Sequence, residues 1–272
     1  MLKKWGIRII AIFGILLLAY PLISNYMQQR YQNDAVATYQ AEISHKDKAE
    51  LEKEYNDAAE YNDMLYQTNG AVVDNMDLGV LSDEHYAELL DQSNGIMGSI
   101  EIPKINVSLP IYHGTSGEVL STGIGHWQGT SLPVGGENTR CVLTGHRGLP
   151  GSKLFTRLDE MEEGDLFFIK VLDQTLAYKV CDIQTILPDE LDALKIEQGR
   201  DLISLVTCTP YGINTHRHIV TGERVAYEKT EYENIRSVVP SIREILFTVL
   251  PFVVLGVILI MKIIEWRKNR YV

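Results

Sequence analysis

Cysteine is scarce: three residues in 272, too few for a disulfide scaffold, and the odd number leaves at least one thiol free. Basic residues are outnumbered, 25 to 36, for a formal net charge of −11, which argues against a general nucleic-acid binder, because phosphate contact needs clustered Lys and Arg. The 21 Gly and 9 Pro follow no period, which excludes collagen-like order, and an apolar content of 45% excludes disorder throughout. The seven His are too scattered for a zinc motif, and the acidic residues show no EF-hand spacing. Neither Gly nor Pro occurs between residues 27 and 68.

What is present is unevenly placed. Residues 27–240 hold 17 of the 25 basic residues and all but two of the 36 acidic ones, so both ends are basic and the middle is strongly acidic. Trp5 to Ile23 is almost wholly apolar with Arg8 as its one charge, and Ile245 to Met261 has no charge at all. A spanning helix needs about 20 apolar residues, so two transmembrane segments are expected. Lys3 and Lys4 before the first and the basic cluster Arg267, Lys268 and Arg270 after the second put both termini in the cytoplasm and the acidic middle outside. A cleaved signal peptide fits less well: the apolar stretch is long, and Ala19-Tyr20-Pro21 is a poor cleavage site.

Residues 27–68 read as one or two charged helices stopped by Thr68-Asn69-Gly70, with a tyrosine series (Tyr31, Tyr39, Tyr55, Tyr61, Tyr66) expected to pack on the main domain. A short helix is expected around Glu84 to Leu90. From Gly98 short β runs take over: 99–102, 109–112, 140–144, 166–172, 176–185, 202–207 and 218–225, separated by Gly, Pro, Asn and Asp. Only the stretches near 154–161 and 190–196 look helical. This pattern predicts an antiparallel barrel or sandwich.

Cys208 closes the apolar run Leu202 to Thr207 and is followed by Pro210 and Gly212, which holds a thiol on rigid backbone at a strand end. Most single cysteines are inert packing. Here, however, Arg217 follows nine residues later across a hairpin-like connection, and neighbouring strands lie about 4.8 Å apart, so Arg217 can face Cys208. His146 likewise sits at a strand end, in Thr144-Gly145-His146-Arg147-Gly148. A thiol with an imidazole is the minimal unit for thiolate chemistry, and a guanidinium suits the oxyanion of a tetrahedral intermediate. Cys141 and Cys181 read as strand packing residues, and a bond between them is left open. His113 and His126 read as hydrogen-bonded structural residues near turns, and His45 and His85 as surface residues.

Six strings in order, GIMGSIEIPKI from Gly95, LPIYHGTS from Leu109, GTSLPVGG from Gly129, VLTGHRGLP from Val142, KLF from Lys153 and TCTPYGINTHR from Thr207, resemble the sortase family, and within it class C, the pilin-polymerising sortases. The resemblance implies a mainly β chain: an eight-stranded sortase β-barrel with an N-terminal helical segment and lid-like loop, flanked by two transmembrane helices. The implied organisation is an N-terminal anchor (1–26), an extracytoplasmic helical segment and lid-like loop (27–95), the catalytic barrel (96–228), a linker (229–241), and a C-terminal transmembrane helix with a basic tail (242–272). It further implies Cys208 as nucleophile, His146 as general acid/base and Arg217 as stabiliser of substrate and oxyanion, with no cofactor. The implied partners are pilin subunits bearing Leu-Pro-x-Thr-Gly-like sorting signals and an acceptor Lys, on the outer face of a Gram-positive membrane. A peptidoglycan-precursor amine as acceptor, for attachment of surface proteins to the wall, is the alternative within the class. A non-catalytic module that binds sorting signals and a hydrolytic thiol protease are the alternatives outside it.

Class C sortases commonly carry a lid with an Asp-Pro-aromatic motif. The nearest match here is Asp74-Asn75-Met76, which lacks both the Pro and the ring. Two readings stay open: a lid in which Asp74 pairs with Arg217 and Met76 covers Cys208, and an ordinary loop.

Overall fold

The structure, a computed structural model, describes residues 2–68, 83–92, 95–149, 151–235 and 242–268. The chain divides into two compact units, Pro21–Ser237 and Met1–Tyr20 with Val238–Val272.

The larger unit begins within helix α1 (Leu2–His45), which gives way at Lys46 to helix α2 (Lys48–Gln67). The break is set by Asp47, whose carboxylate accepts from the Glu50 N–H at 2.8 Å and so caps a free donor of the new helix. Lys46 pairs with Glu50 and Glu54 across the corner. Thr68 closes α2, as the sequence predicts. The tyrosine series divides: Tyr39 and Tyr61 are fully buried, whereas Tyr31 and Tyr66 are exposed. Helix α3 (Asp83–Glu88) follows at the expected place. It is fastened to the barrel by Tyr86, whose hydroxyl bonds His126 Nδ1 at 2.9 Å and accepts from the Gly114 N–H at 3.0 Å.

The barrel strands are β1 (Ile96–Ile102), β2 (Val107–His113), β3 (Ile124–His126), β4 (Thr139–Thr144), β5 (Leu166–Val171), β6 (Gln174–Ile186), β7 (Asp201–Thr209) and β8 (His216–Val225). They close in the order β1-β2-β3-β4-β7-β8-β6-β5. The expected all-antiparallel arrangement needs correction: β2 pairs β3 in parallel, and so does β4 with β7. Helix α4 (Gly117–Thr122) makes the first crossover, and the 56 residues between β4 and β7, which include β5 and β6, make the second. The core is lined by Ile100, Ile111, Leu143, Phe155, Ile169, Ile203, Leu205 and Val220, all essentially inaccessible. Each such side chain contributes about 1.5–3 kcal/mol by leaving water. Phe167 stacks on Tyr178 with ring centroids 5.6 Å apart.

Past β8, helix α5 (Lys229–Asn234) docks on the barrel: Tyr232 packs edge-on against Phe168 at 4.9 Å, and its hydroxyl donates to Glu101 Oε2 at 2.8 Å. The smaller unit contains the start of α1 and helix α6 (Ile242–Lys268). Among the described residues no helix is long and apolar enough to cross a membrane, so the two expected spans are not supported by the fold itself.

Candidate active site

Parallel pairing of β4 and β7 brings the ends of both strands to one rim of the barrel. Their register runs from Thr139 opposite Asp201 to Thr144 opposite Val206. Beyond the ladder the two chains stay tied in the same register. The Gly145 N–H donates to Val206 O at 3.1 Å, the Thr207 hydroxyl donates to Gly145 O at 2.7 Å, and Arg147 Nη1 donates to Thr209 Oγ1 at 3.0 Å. His146 lies between those two cross-links on one side, and Cys208 between them on the other. On its far side β7 pairs antiparallel with β8, and there Cys208 stands opposite Arg217. The three residues picked from the sequence thus occupy three adjacent strand ends, each half-buried.

Local chemistry explains the positions. Gly145 precedes His146 because the backbone there runs against the core: a Cβ on it would come within 2.6 Å of Ile124 Cδ1 and 2.8 Å of the Phe155 ring. His146 O accepts from the Phe155 N–H at 3.2 Å, which fixes the peptide that carries the imidazole. The β7–β8 connection is drawn tight by Ile213 and Asn214 N–H groups donating to Pro210 O at 3.1 and 3.0 Å. Arg217 Nη1 donates to the Asn214 and His216 carbonyls at 3.3 and 3.2 Å, and these hold the guanidinium at the start of β8. Ile186, opposite Arg217 in the β6–β8 pairing, lines a cavity of about 500 Å³ with Asp189, Leu191 and Lys195, and none of the three candidate residues lines it.

Beneath the site lies a group the sequence reading passed over. Arg147 is buried; its Nη2 donates to Asp159 Oδ2 at 2.5 Å while Nη1 holds Thr209. His218 lies close enough to respond to both charges: burial lowers its pKa, Arg147 lowers it further, and Asp159 opposes the shift. The one signal for Arg147 in the sequence is its place directly after His146.

Asp74 and Met76 lie outside the described residues. His126 is fully buried between Tyr86 and the Ser131 carbonyl, and His113 Nε2 bonds Leu89 O at 2.7 Å, so both have the structural role expected of them. All three cysteines are free. Complete burial pushes the Cys141 thiol far up, and burial raises Cys181 against the opposing pull of Arg200. Neither thiol is a good nucleophile in that state. Among the described residues no group of His, Cys, Asp and Glu is arranged to hold a metal ion.

Residues 100–225 match the sortase domain. Among solved structures, sortase C1 of Streptococcus agalactiae is 44% identical over 72% of this chain and all of its own, with a TM-score of 0.67. The sortase C of Streptococcus pneumoniae, whose structure was described with its pilin substrate specificity, is 41% identical over 71% of this chain and 97% of its own, with a TM-score of 0.64. The Clostridium perfringens sortase C solved with a C-terminal cell wall sorting motif is 41% identical over 71% of this chain and 99% of its own, with a TM-score of 0.63. Sortase D of Bacillus subtilis is 32% identical over 47% of this chain and 63% of its own length, and sortase A of Streptococcus agalactiae 28% identical over 42% and 47%. The chain thus spans about half to two thirds of those two curated relatives. The chain belongs to the sortase family, a family of cysteine transpeptidases, and the solved structures it resembles are class C members.

Proposed function

We propose that this chain is a membrane-anchored transpeptidase that cleaves a Leu-Pro-x-Thr-Gly-like sorting signal and joins pilin subunits through Lys isopeptide bonds. The observation that carries the reading is the alignment of Cys208 between His146 and Arg217 at one barrel rim. In this reading the Cys208 thiolate attacks the Thr carbonyl carbon, and the Arg217 fork offers fixed donors to the developing oxyanion. As the C–N bond breaks, His146 gives its proton to the leaving Gly amine, which leaves a thioester on Cys208. An acceptor Lys amine then attacks that thioester, loses a proton to His146, and releases the thiolate as the isopeptide forms. Transfer prevails over hydrolysis where water is kept from the thioester. The likeness to class C structures supports pilin subunits as partners over a peptidoglycan-precursor amine.

The membrane part of the reading rests on composition and exposure. Ile245–Met261 carries no charge, and Val249, Phe252, Val253, Val257, Ile258 and Ile260 are each about half exposed. Phe13, Leu16, Leu17 and Tyr20 are each about 60% exposed along α1. Apolar surface of that extent in water calls for a partner, and lipid suits it. Basic residues at both ends support cytoplasmic termini with the barrel outside the cell.

The test incubates the protein with sorting-signal pilin subunits and follows covalent products by gel and intact mass. Lysine-linked oligomers are expected, and Cys208→Ala, which leaves the strand pairing intact, should reduce them to background. Equal product from Cys208→Ala would refute the mechanism. A Cys208 acyl-enzyme without oligomers, discharged instead by a peptidoglycan-type amine, would replace pilus assembly with wall attachment. Signal cleavage to free acid even with amine present would make the protein a hydrolase.

A further inference from the structure

Each of the three residues proposed to act on substrate is followed in the chain by a member of one cluster. Arg147 follows His146, Thr209 follows Cys208, and His218 follows Arg217. Strand alternation sends Thr209 and His218 to the face opposite Cys208 and Arg217. There Arg147 spans the gap between the two chains, with one nitrogen on Thr209 Oγ1 at 3.0 Å and another on Asp159 Oδ2 at 2.5 Å. Its side chain is only 6% exposed. Asp159 belongs to a 3₁₀ turn, Leu158–Glu160, so the bridge has a third anchor outside the strands.

The β4–β7 ladder ends at Thr144 and Val206, two residues short of His146 and Cys208. From there on, the two segments are joined by one backbone bond, from the Gly145 N–H to Val206 O, and by side-chain ties on either side of the reacting groups. The tie before them runs from Thr207 to Gly145, and the tie after them is Arg147. We infer that Arg147 is a positioning residue, which sets the placement of the His146 imidazole relative to the Cys208 thiol by bridging Thr209 and Asp159. This rests on the catalytic reading above. A guanidinium serves two acceptors in fixed geometry, which the single rotating ammonium of a Lys does not reproduce. Displacing a reacting group by about 1 Å costs on the order of a hundredfold in rate.

The experiment compares the wild type, Cys208→Ala, Arg147→Lys, Thr209→Val and the Arg147→Lys/Thr209→Val double variant. Transpeptidation of a sorting-signal peptide onto an amine is measured per folded molecule, with circular dichroism to count the folded fraction. Arg147→Lys and Thr209→Val are each expected to lower kcat roughly tenfold or more. KM should stay within about twofold, because neither group is assigned to substrate binding. The double variant should be little worse than the worse single one, since both remove the same bridge. Thr209→Val decides the matter if Arg147→Lys does not fold. Variants with near-normal kcat, or losses explained by the folded fraction alone, would overturn the positioning role. A wild type with no Cys208-dependent product would overturn the catalytic reading itself, an outcome distinct from active enzyme with equally active variants.

Discussion

His126 shows how far one buried side chain can couple fold to pH. It is wholly inaccessible; its Nε2 lies 2.9 Å from the Ser131 carbonyl, and the Tyr86 hydroxyl lies 2.9 Å from Nδ1. The carbonyl only accepts, so Nε2 carries the proton and Nδ1 accepts from the tyrosine. Burial drives the pKa of His126 from 6.5 down to about 4. The unfolded chain therefore takes up this proton before the folded one does, and His126 costs nothing above about pH 7. Stability falls on acidification through the window from 6.5 to 4, by an amount on the order of 2–3 kcal/mol. Urea unfolding of the wild type and His126→Asn at pH 7.5 and 4.5 checks this. The variant should be less stable at pH 7.5, because Tyr86 and Ser131 lose their partner, yet lose less on acidification. An equal pH slope in both proteins would exclude His126 as a source of acid sensitivity.

At the scale of elements, α1 does more than lead into the barrel. One face of it, at four-residue spacing, meets α4 and the loop that follows His146. Ser24 lies against Gly151, where a Cβ would come within 2.2 Å of its hydroxyl and where φ is +89°, so glycine is required twice over. Gln28 donates to Ser121 O at 3.3 Å, and Gln32, buried, donates to Thr122 O at 2.9 Å and Ser152 Oγ at 3.3 Å. Farther along the same helix Tyr39 is buried, its hydroxyl bonded to Met97 O and to the Leu172 N–H. Gln32→Ala should destabilise the protein by about 1–3 kcal/mol, the cost of stranding buried polar partners. It should also speed hydrogen exchange across residues 147–153, with the barrel strands unchanged. Unaltered exchange in that loop would mean that α1 does not restrain it. The two Gln32 bonds join residues 90 and 120 positions apart, and no local pattern announces them. Seven of the strands were legible because alternation and turn residues are local signals. Strand β3, three residues long, gives alternation no room, and parallel partners such as β4 and β7 leave no mark in their linear spacing. That is why the Cys208–Arg217 pairing was readable from hairpin spacing, while His146 was a candidate by residue type and strand-end position alone, with nothing in its linear spacing to bring it to them.

Across the whole molecule, charge and apolar surface are segregated by sequence region. The unit Pro21–Ser237 contains the barrel and the candidate site and nearly all the acidic residues, while the other unit supplies the exposed Phe13, Leu16, Leu17 and Tyr20 of α1 and the exposed apolar side chains of α6. Anionic lipid headgroups repel an acidic unit, so the proposed membrane attachment requires apolar burial rather than surface charge. Burying half-exposed Val, Ile, Leu and Phe side chains is worth about 25 cal/mol per Å² of apolar area, which is the driving force the proposed attachment would draw on. The full chain reconstituted from detergent with phosphatidylglycerol vesicles should therefore float with the lipid and stay there in high salt, since screening weakens electrostatic attachment but not apolar burial. Residues 21–237 alone should stay in the aqueous fraction of the same gradient. Release of the full chain by salt, or flotation of the 21–237 unit, would show that the terminal segments are not the anchor and would move the attachment surface onto the barrel unit.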